Sequence, residues 1–187
     1  MSNGESFLNL ETYQIEMMAD AAINLSYESA LKNGHDIPIG AVAVREAVIV
    51  GSGYASDKQN NEAHLHAEVV AIRDASDNAP EVILSTVEAC ILCQAAMMEL
   101  PELKSFAYIV PRIELSRRGL VNPRPSMEER ASRGEFNFEV VRLDDPTRYE
   151  RAIAPLDHTT VLRQDDGSGL VVIDQARLLA DQARFAD

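Results

Sequence analysis

Basic residues and cysteine are both scarce in this sequence, and no apolar run is long enough to cross a bilayer. Its 187 residues hold 17 Lys and Arg against 30 Asp and Glu, a formal charge of −13. Affinity for nucleic acid draws largely on counterion release at phosphates, so a surface this acidic disfavours a nucleic-acid partner everywhere except in a local patch. Residues 1–10 have neither a basic n-region nor an apolar h-region, so a cytoplasmic protein with no membrane partner is expected. Acidic residues are spread along the chain and 46% of residues are apolar, which excludes global disorder.

The two cysteines, Cys90 and Cys93, stand in Cys-x-x-Cys spacing. In a reducing compartment that spacing points to metal or redox chemistry before a structural disulfide. With no third cysteine, a Cys₄ or Cys₃His metal site cannot form within one chain. Charge is also uneven. Residues 111–139 carry Arg112, Arg117, Arg118, Arg124, Arg130 and Arg133 against five acids, and this is the one segment with a net positive balance.

Apolar residues Ile15, Met18, Ala19, Ala22 and Leu25 recur at three- and four-residue steps, which predicts an amphipathic helix over about 12–32. Ala41–Val44 and Val48–Val50 predict a hairpin, with Gly51-Ser52-Gly53 opening a loop. A helix is expected from His66 to about Ser76, a strand over Val82–Ser85, a helix over about Cys90–Leu100 and a strand over Ser105–Val110. A Pro- and Arg-rich loop (111–125) follows, then a short helix near Ser126–Arg133, a strand over Phe136–Leu143 and a helix from Pro146 to about Ile153. The alternation predicts an α/β layered domain with a mixed sheet over residues 1–153. Thr159–Arg163, the turn Asp165-Asp166-Gly167, Leu170–Ile173 and Gln175–Phe185 predict a hairpin and helix, an extension (154–187) docked on that domain.

His66-Ala67-Glu68 opens one predicted helix and Cys90-Ile91-Leu92-Cys93 the next. Thiols separated by two residues at a helix start point the same way, and the positive helix end favours the ligating thiolate. One imidazole added to two thiolates gives three protein ligands, which leaves a fourth zinc position open, as a catalytic site requires. Glu68, two residues after His66, is placed to move a proton beside that position. Two blander readings stand beside this one: a structural or interface-shared metal, and buried small residues with no metal. A thioredoxin-like role for the cysteine pair leaves His66-Ala67-Glu68 without a purpose.

These residues resemble the cytidine deaminase-like superfamily of zinc-dependent amidine hydrolases, whose signature is His-x-Glu followed by Pro-Cys-x-x-Cys. The matching segments are His66-Ala67-Glu68, Thr86-Val87-Glu88-Ala89-Cys90-Ile91-Leu92-Cys93 and Ile37-Pro38-Ile39-Gly40-Ala41-Val42-Ala43-Val44, and the likeness spans about residues 10–153. It implies a three-layer α-β-α fold with a central five-stranded mixed sheet. It also implies Zn²⁺ on His66, Cys90 and Cys93, Glu68 as proton shuttle, and the Ala67 N–H facing the substrate. Gly40 and Ala41, in the strand that lines the family's pocket, are substrate-binding candidates.

Two positions depart from the family pattern. Ala89 stands where proline normally precedes the first cysteine, losing the ring that pre-sets φ. Gly53-Tyr54-Ala55 stands where nucleobase deaminases carry Gly-x-Asn, so Ala55 lies at the base-binding position with no side-chain hydrogen bond to offer. Asp57, Asn60 or Asn61 from the same loop could supply that group, and His64 is a further pocket candidate.

Ala63-His64-Leu65-His66-Ala67-Glu68 and the late Glu139–Pro146 segment look like the cytosine and guanine deaminase branch. The expected activity is hydrolytic deamination of a small amino-heterocycle by a homodimer. The alternatives are a tRNA-specific adenosine deaminase and a non-catalytic zinc-binding partner subunit.

Overall fold

The computed structural model describes residues 10–33, 36–56, 65–163 and 169–185. Helix α1 (Thr12–Asn33) leads into strands β1 (Gly40–Arg45) and β2 (Val48–Tyr54). Helix α2 (Ala67–Asp74), strand β3 (Val82–Val87), helix α3 (Ile91–Met98) and strand β4 (Ser105–Val110) follow. Short helices α4 (Arg112–Arg117) and α5 (Met127–Ser132) precede strand β5 (Glu139–Arg142) and helix α6 (Pro146–Asp157). Strands β6 (Thr159–Arg163) and β7 (Gly169–Ile173) pair with each other, and helix α7 (Gln175–Arg184) ends the described chain. No described helix is long and apolar enough to cross a membrane.

Five strands form one sheet in the order β2-β1-β3-β4-β5. β1 runs antiparallel to β2 and β3, whereas β3, β4 and β5 are parallel, giving the expected mixed sheet. Side chains alternate across it with the strand period of two. Val42, Val44, Leu84, Ala107 and Ile109 face α1 and α6, while Ala41, Ala43, Ile83, Phe106 and Tyr108 face α2, α3 and α5. The result is the expected three-layer α-β-α fold. The β6–β7 hairpin forms a separate sheet, and α7 buries Leu178 in the same apolar cluster as α1. His158 Nε2 lies 2.7 Å from Asp181 Oδ2, and Gln175 Nε2 donates to the Leu31 carbonyl at 3.2 Å.

Four elements differ from the sequence reading. Gly51 and Gly53 do not open a loop; they pair in β2 with Ala43 and Ala41. The reason is steric, because α2 crosses this strand at backbone contact. A Cβ at Gly53 would stand 2.6 Å from the Ala67 carbonyl oxygen and 2.6 Å from the Ala71 nitrogen. The 111–125 segment contains α4, anchored by the fully buried Leu115. β5 is shorter than expected because Phe136 and Phe138 stack on each other at 5.2 Å, with Phe138 buried against the sheet. α6 continues past Ile153 to Asp157; Pro155 withholds the N–H that would bond the Arg151 carbonyl, but only two helical residues follow it, so the break stays within the last turn. Gly53→Val is expected to destabilise the protein by roughly 1–3 kcal/mol through overpacking. A lower urea midpoint would check it, and metal affinity should fall as well, because α2 carries the site described next.

Candidate functional site

Two helix starts meet at the carboxyl end of the parallel strands. His66 is the N-cap of α2, which the missing Cβ of Gly53 lets lie close on β2. Cys90 is the N-cap of α3, delivered by the turn that leaves β3. One turn on, Cys93 is fully buried beneath it. His66 Nδ1 lies 3.2 Å from Cys90 Sγ and 3.5 Å from Cys93 Sγ, and the two sulfurs are 3.5 Å apart. A tetrahedral zinc with its usual bond lengths sets S···S near ~3.8 Å and S···N near ~3.6 Å. The three donors therefore fit such an ion, and among the described residues they form the His/Cys/acid group able to hold a metal.

The local charge state favours a cation. Hydrogen bonds from Cys93 and, against the opposing effect of burial, from His66 pull the Cys90 thiol down to about 3, which makes it a thiolate. The Cys93 thiol is pushed up, because it shares its proton with Cys90 in a buried site beside Glu68. A divalent ion between the sulfurs displaces that proton.

Glu68 is 3% exposed, with Oε2 accepting from Cys93 Sγ at 3.2 Å and Oε1 accepting from the Ser85 hydroxyl at 3.2 Å. Burial pushes its carboxyl above the ordinary carboxylate range. No basic side chain pairs with it among the described residues. A buried carboxylate without a cation costs stability, so its retention points to chemistry.

A cavity of about 130 Å³ opens beside these groups, lined by Asp36, Ile39, Ala55, His66, Ala67, Cys90 and Arg112 among others. Ala67 is the first residue of α2, where N–H groups lack an intrahelical partner. Ala55 meets the cavity with a methyl group, and its carbonyl accepts from Ser29 Oγ at 3.2 Å. Gly40 and Ala41 lie behind this wall. A Cβ at Gly40 would meet the Ala22 oxygen of α1 at 2.1 Å, and Ala41 packs in the core under α2. Asn61 and His64, with Asp57 and Asn60, fall outside the described residues.

Ala89 is secured without a proline. Gln94 Nε2 donates to the Ala89 carbonyl at 2.7 Å, and Gln94 Oε1 accepts in turn from Arg130. The buried Glu88 accepts from the backbone N–H of Arg112 at 2.8 Å and from that of Met127, fixing both ends of the 112–127 segment beside the cavity. Sequence reasoning missed Ser85, Glu88, Gln94 and Arg112 as parts of the site. Glu88 stood inside the quoted cysteine motif and Arg112 began the basic segment, but Ser85 gave no signal in an apolar strand.

A 70-residue stretch is 36% identical to the tRNA-specific adenosine deaminase of Streptococcus pyogenes, covering 33% of this chain and 43% of that protein. The chain thus spans less than half the length of that curated relative. In fold it is similar to the guanine deaminase from Nitrosomonas europaea (TM-score 0.60, 14% identity, covering 82% of this chain and 95% of that one). It is also similar to a structure from studies of A-to-I editing by tRNA:A34 deaminases (TM-score 0.56, 17% identity, covering 73% and 96%). The family model described as the cytidine and deoxycytidylate deaminase zinc-binding region matches residues 12–109, a stretch that holds His66, Glu68, Cys90 and Cys93. That match takes in more than half of the chain, which belongs to the cytidine and deoxycytidylate deaminase family.

Proposed function

We propose that this protein is a hydrolytic deaminase that converts the exocyclic amine of a nitrogen heterocycle to a carbonyl. The observation that carries this reading is the buried Glu68 carboxyl, with no Lys or Arg paired to it among the described residues, beside the His66, Cys90 and Cys93 donors. His66 Nδ1 and the sulfurs of Cys90 and Cys93 would hold zinc. When bound, zinc supplies Lewis-acid activation of the attacking water. Glu68 would relay the two protons of the attacking water, one to the ring nitrogen and one to the departing nitrogen, so a C–O bond forms, the C–N bond breaks and ammonia leaves behind a carbonyl. Ser85 holds one carboxylate oxygen at 3.2 Å, leaving the other on the cluster side. The Ala67 N–H and the walls at Ala55 and Ile39 orient the ring, with Asn61 and His64 as candidates to complete the pocket and Gly40 and Ala41 backing it.

One consideration favours each substrate class. The charge of −13 favours a small amino-heterocycle. The curated relatives favour tRNA, because they are named tRNA-specific adenosine deaminases, counter to the charge-based expectation of no nucleic acid. Residues 1–153 carry the chemistry and 154–187 dock on them as an extension. A homodimer belongs to the same reading, and exposed Ile91, Leu92 and Met98 on α3 offer it an apolar face.

Ammonia release by the zinc-loaded protein tests the reading against aminopurines, aminopyrimidines, aminotriazines, nucleosides and tRNA. Release from at least one of them is expected. A protein that retains zinc and releases none from any of them would contradict it, and would favour the non-catalytic partner subunit.

A further inference from the structure

Strand β3 reads Val-Ile-Leu-Ser-Thr-Val and is buried along its whole length. Ser85 within it is fully shielded from solvent and lies opposite Ala41 of β1. It shares the sheet face of Ile83, which packs in the cluster under α2 and α3. A buried hydroxyl costs stability unless it is bonded, and alanine would serve packing alone. Ser85 Oγ donates to Glu68 Oε1 at 3.2 Å, the Gly40 carbonyl being the more distant alternative at 3.5 Å, and it accepts from the Val87 N–H at 3.4 Å. The hydroxyl is thus fixed by its own strand and directed at the carboxyl.

The other carboxyl oxygen faces the metal donors. Glu68 Oε2 lies 3.2 Å from Cys93 Sγ. An oxygen and a thiolate on one tetrahedral zinc stand about 3.5 Å apart, so a small turn of the Glu68 side chain would bring this oxygen to a ligand's place. Three protein ligands with one open position suit catalysis, whereas four close the site into a structural one. The donor group able to hold the ion comprises His66, Cys90 and Cys93 without Glu68. Once a metal engages the Cys93 sulfur, that sulfur no longer donates to Oε2. Ser85 is then the side chain among the described residues that still donates to this carboxylate, alongside Glu68's own backbone N–H.

Resting on the deaminase reading for its catalytic consequence, we propose that Ser85 is a positioning residue that holds Glu68 off the metal. The carboxylate is thereby kept as a proton shuttle, and the fourth position stays open. Ser85 acts only through Glu68, so its effect must vanish when the carboxylate is gone.

The test loads the full chain with Co²⁺, whose visible bands report ligand exchange, and titrates it with azide, a small anion that binds an exchangeable metal position. Azide should bind the wild-type protein. Ser85→Ala should weaken that binding about tenfold or more, because the released carboxylate competes for the position. In a Glu68→Gln background the same substitution should change azide binding by less than about twofold. Ser85→Thr, which keeps the hydroxyl, should restore wild-type azide binding. With zinc, and with the aminopurine or aminopyrimidine that the wild-type protein deaminates best, Ser85→Ala should lower kcat roughly ten- to a hundredfold at nearly constant KM. Melting temperature and Co²⁺ content identify a misfolded Ser85→Ala, in which case Ser85→Gly removes the hydroxyl without adding volume. Equal azide binding with and without the hydroxyl, a loss that persists undiminished in the Glu68→Gln background, or an unchanged kcat overturns the proposal. So does a wild-type protein that ignores azide, whether or not Glu68→Gln binds it, because its fourth position would then be closed. Ammonia release without the azide coupling defeats the role of Ser85 alone, whereas the coupling without ammonia release from any substrate defeats the deaminase reading alone.

Discussion

Glu68→Gln is expected to lower ammonia release roughly 10²–10⁴-fold while the protein keeps its fold and its zinc. Glutamine preserves the shape of the side chain, and its amide oxygen can still accept from Ser85, now 3.2 Å from Glu68 Oε1. What disappears is a group that can take a proton and give it back. Stability should hold or rise, because a buried carboxyl with no Lys or Arg partner among the described residues gives way to a neutral amide that costs less to desolvate. A residue kept only for packing would show the reverse, with altered stability and unaltered turnover. Ammonia release and zinc content, measured on the same preparations, separate the two.

Removing the metal is expected to abolish activity and to weaken the fold. Cys93 is wholly buried in the cluster that holds Ala67 and Met97, and His66 and Cys90 tie the starts of α2 and α3 to it. An ion at the three donors cross-links those two helices in the native state only. Binding confined to the native state stabilises it by about 4 kcal/mol when free zinc exceeds its dissociation constant ~1,000-fold. Urea unfolding should therefore shift to lower midpoints when a chelator is added. In Cys90→Ala/Cys93→Ala the chelator should change nothing, because the donors are gone. Equal midpoints for the wild-type protein with and without chelator would remove the metal from the account.

The parts of the site that sequence reveals are those whose partners are close along the chain or whose chemistry is rare. His66 and Glu68 are two residues apart, and Cys90 and Cys93 are the only thiols. Their positions at helix starts followed from the apolar spacing on α2 and α3. Long-range partners could not be read this way. Ser85 meets Glu68 across 17 positions and Glu88 meets the Met127 amide across 39, and nothing in either local pattern announces the other end. Gly51 and Gly53 misled for a related reason. Locally, glycines flanking a serine look like the start of a loop, and only the approach of α2, more than a dozen residues later, explains why β2 must lack side chains there. The layered α/β order was legible because strand and helix periods alternate cleanly, whereas α4 and the end of α6 depend on burying Leu115 and Leu156.

Three donors of one chain, His66, Cys90 and Cys93, are expected to hold the metal and leave a position open beside Glu68. X-ray absorption at the zinc edge, on protein loaded with one equivalent of zinc, tests it most directly. Two sulfur neighbours at ~2.3 Å together with lighter scatterers at ~2.0–2.1 Å are expected. Four sulfurs, which would need cysteines from two chains, or no bound zinc at all, would contradict it.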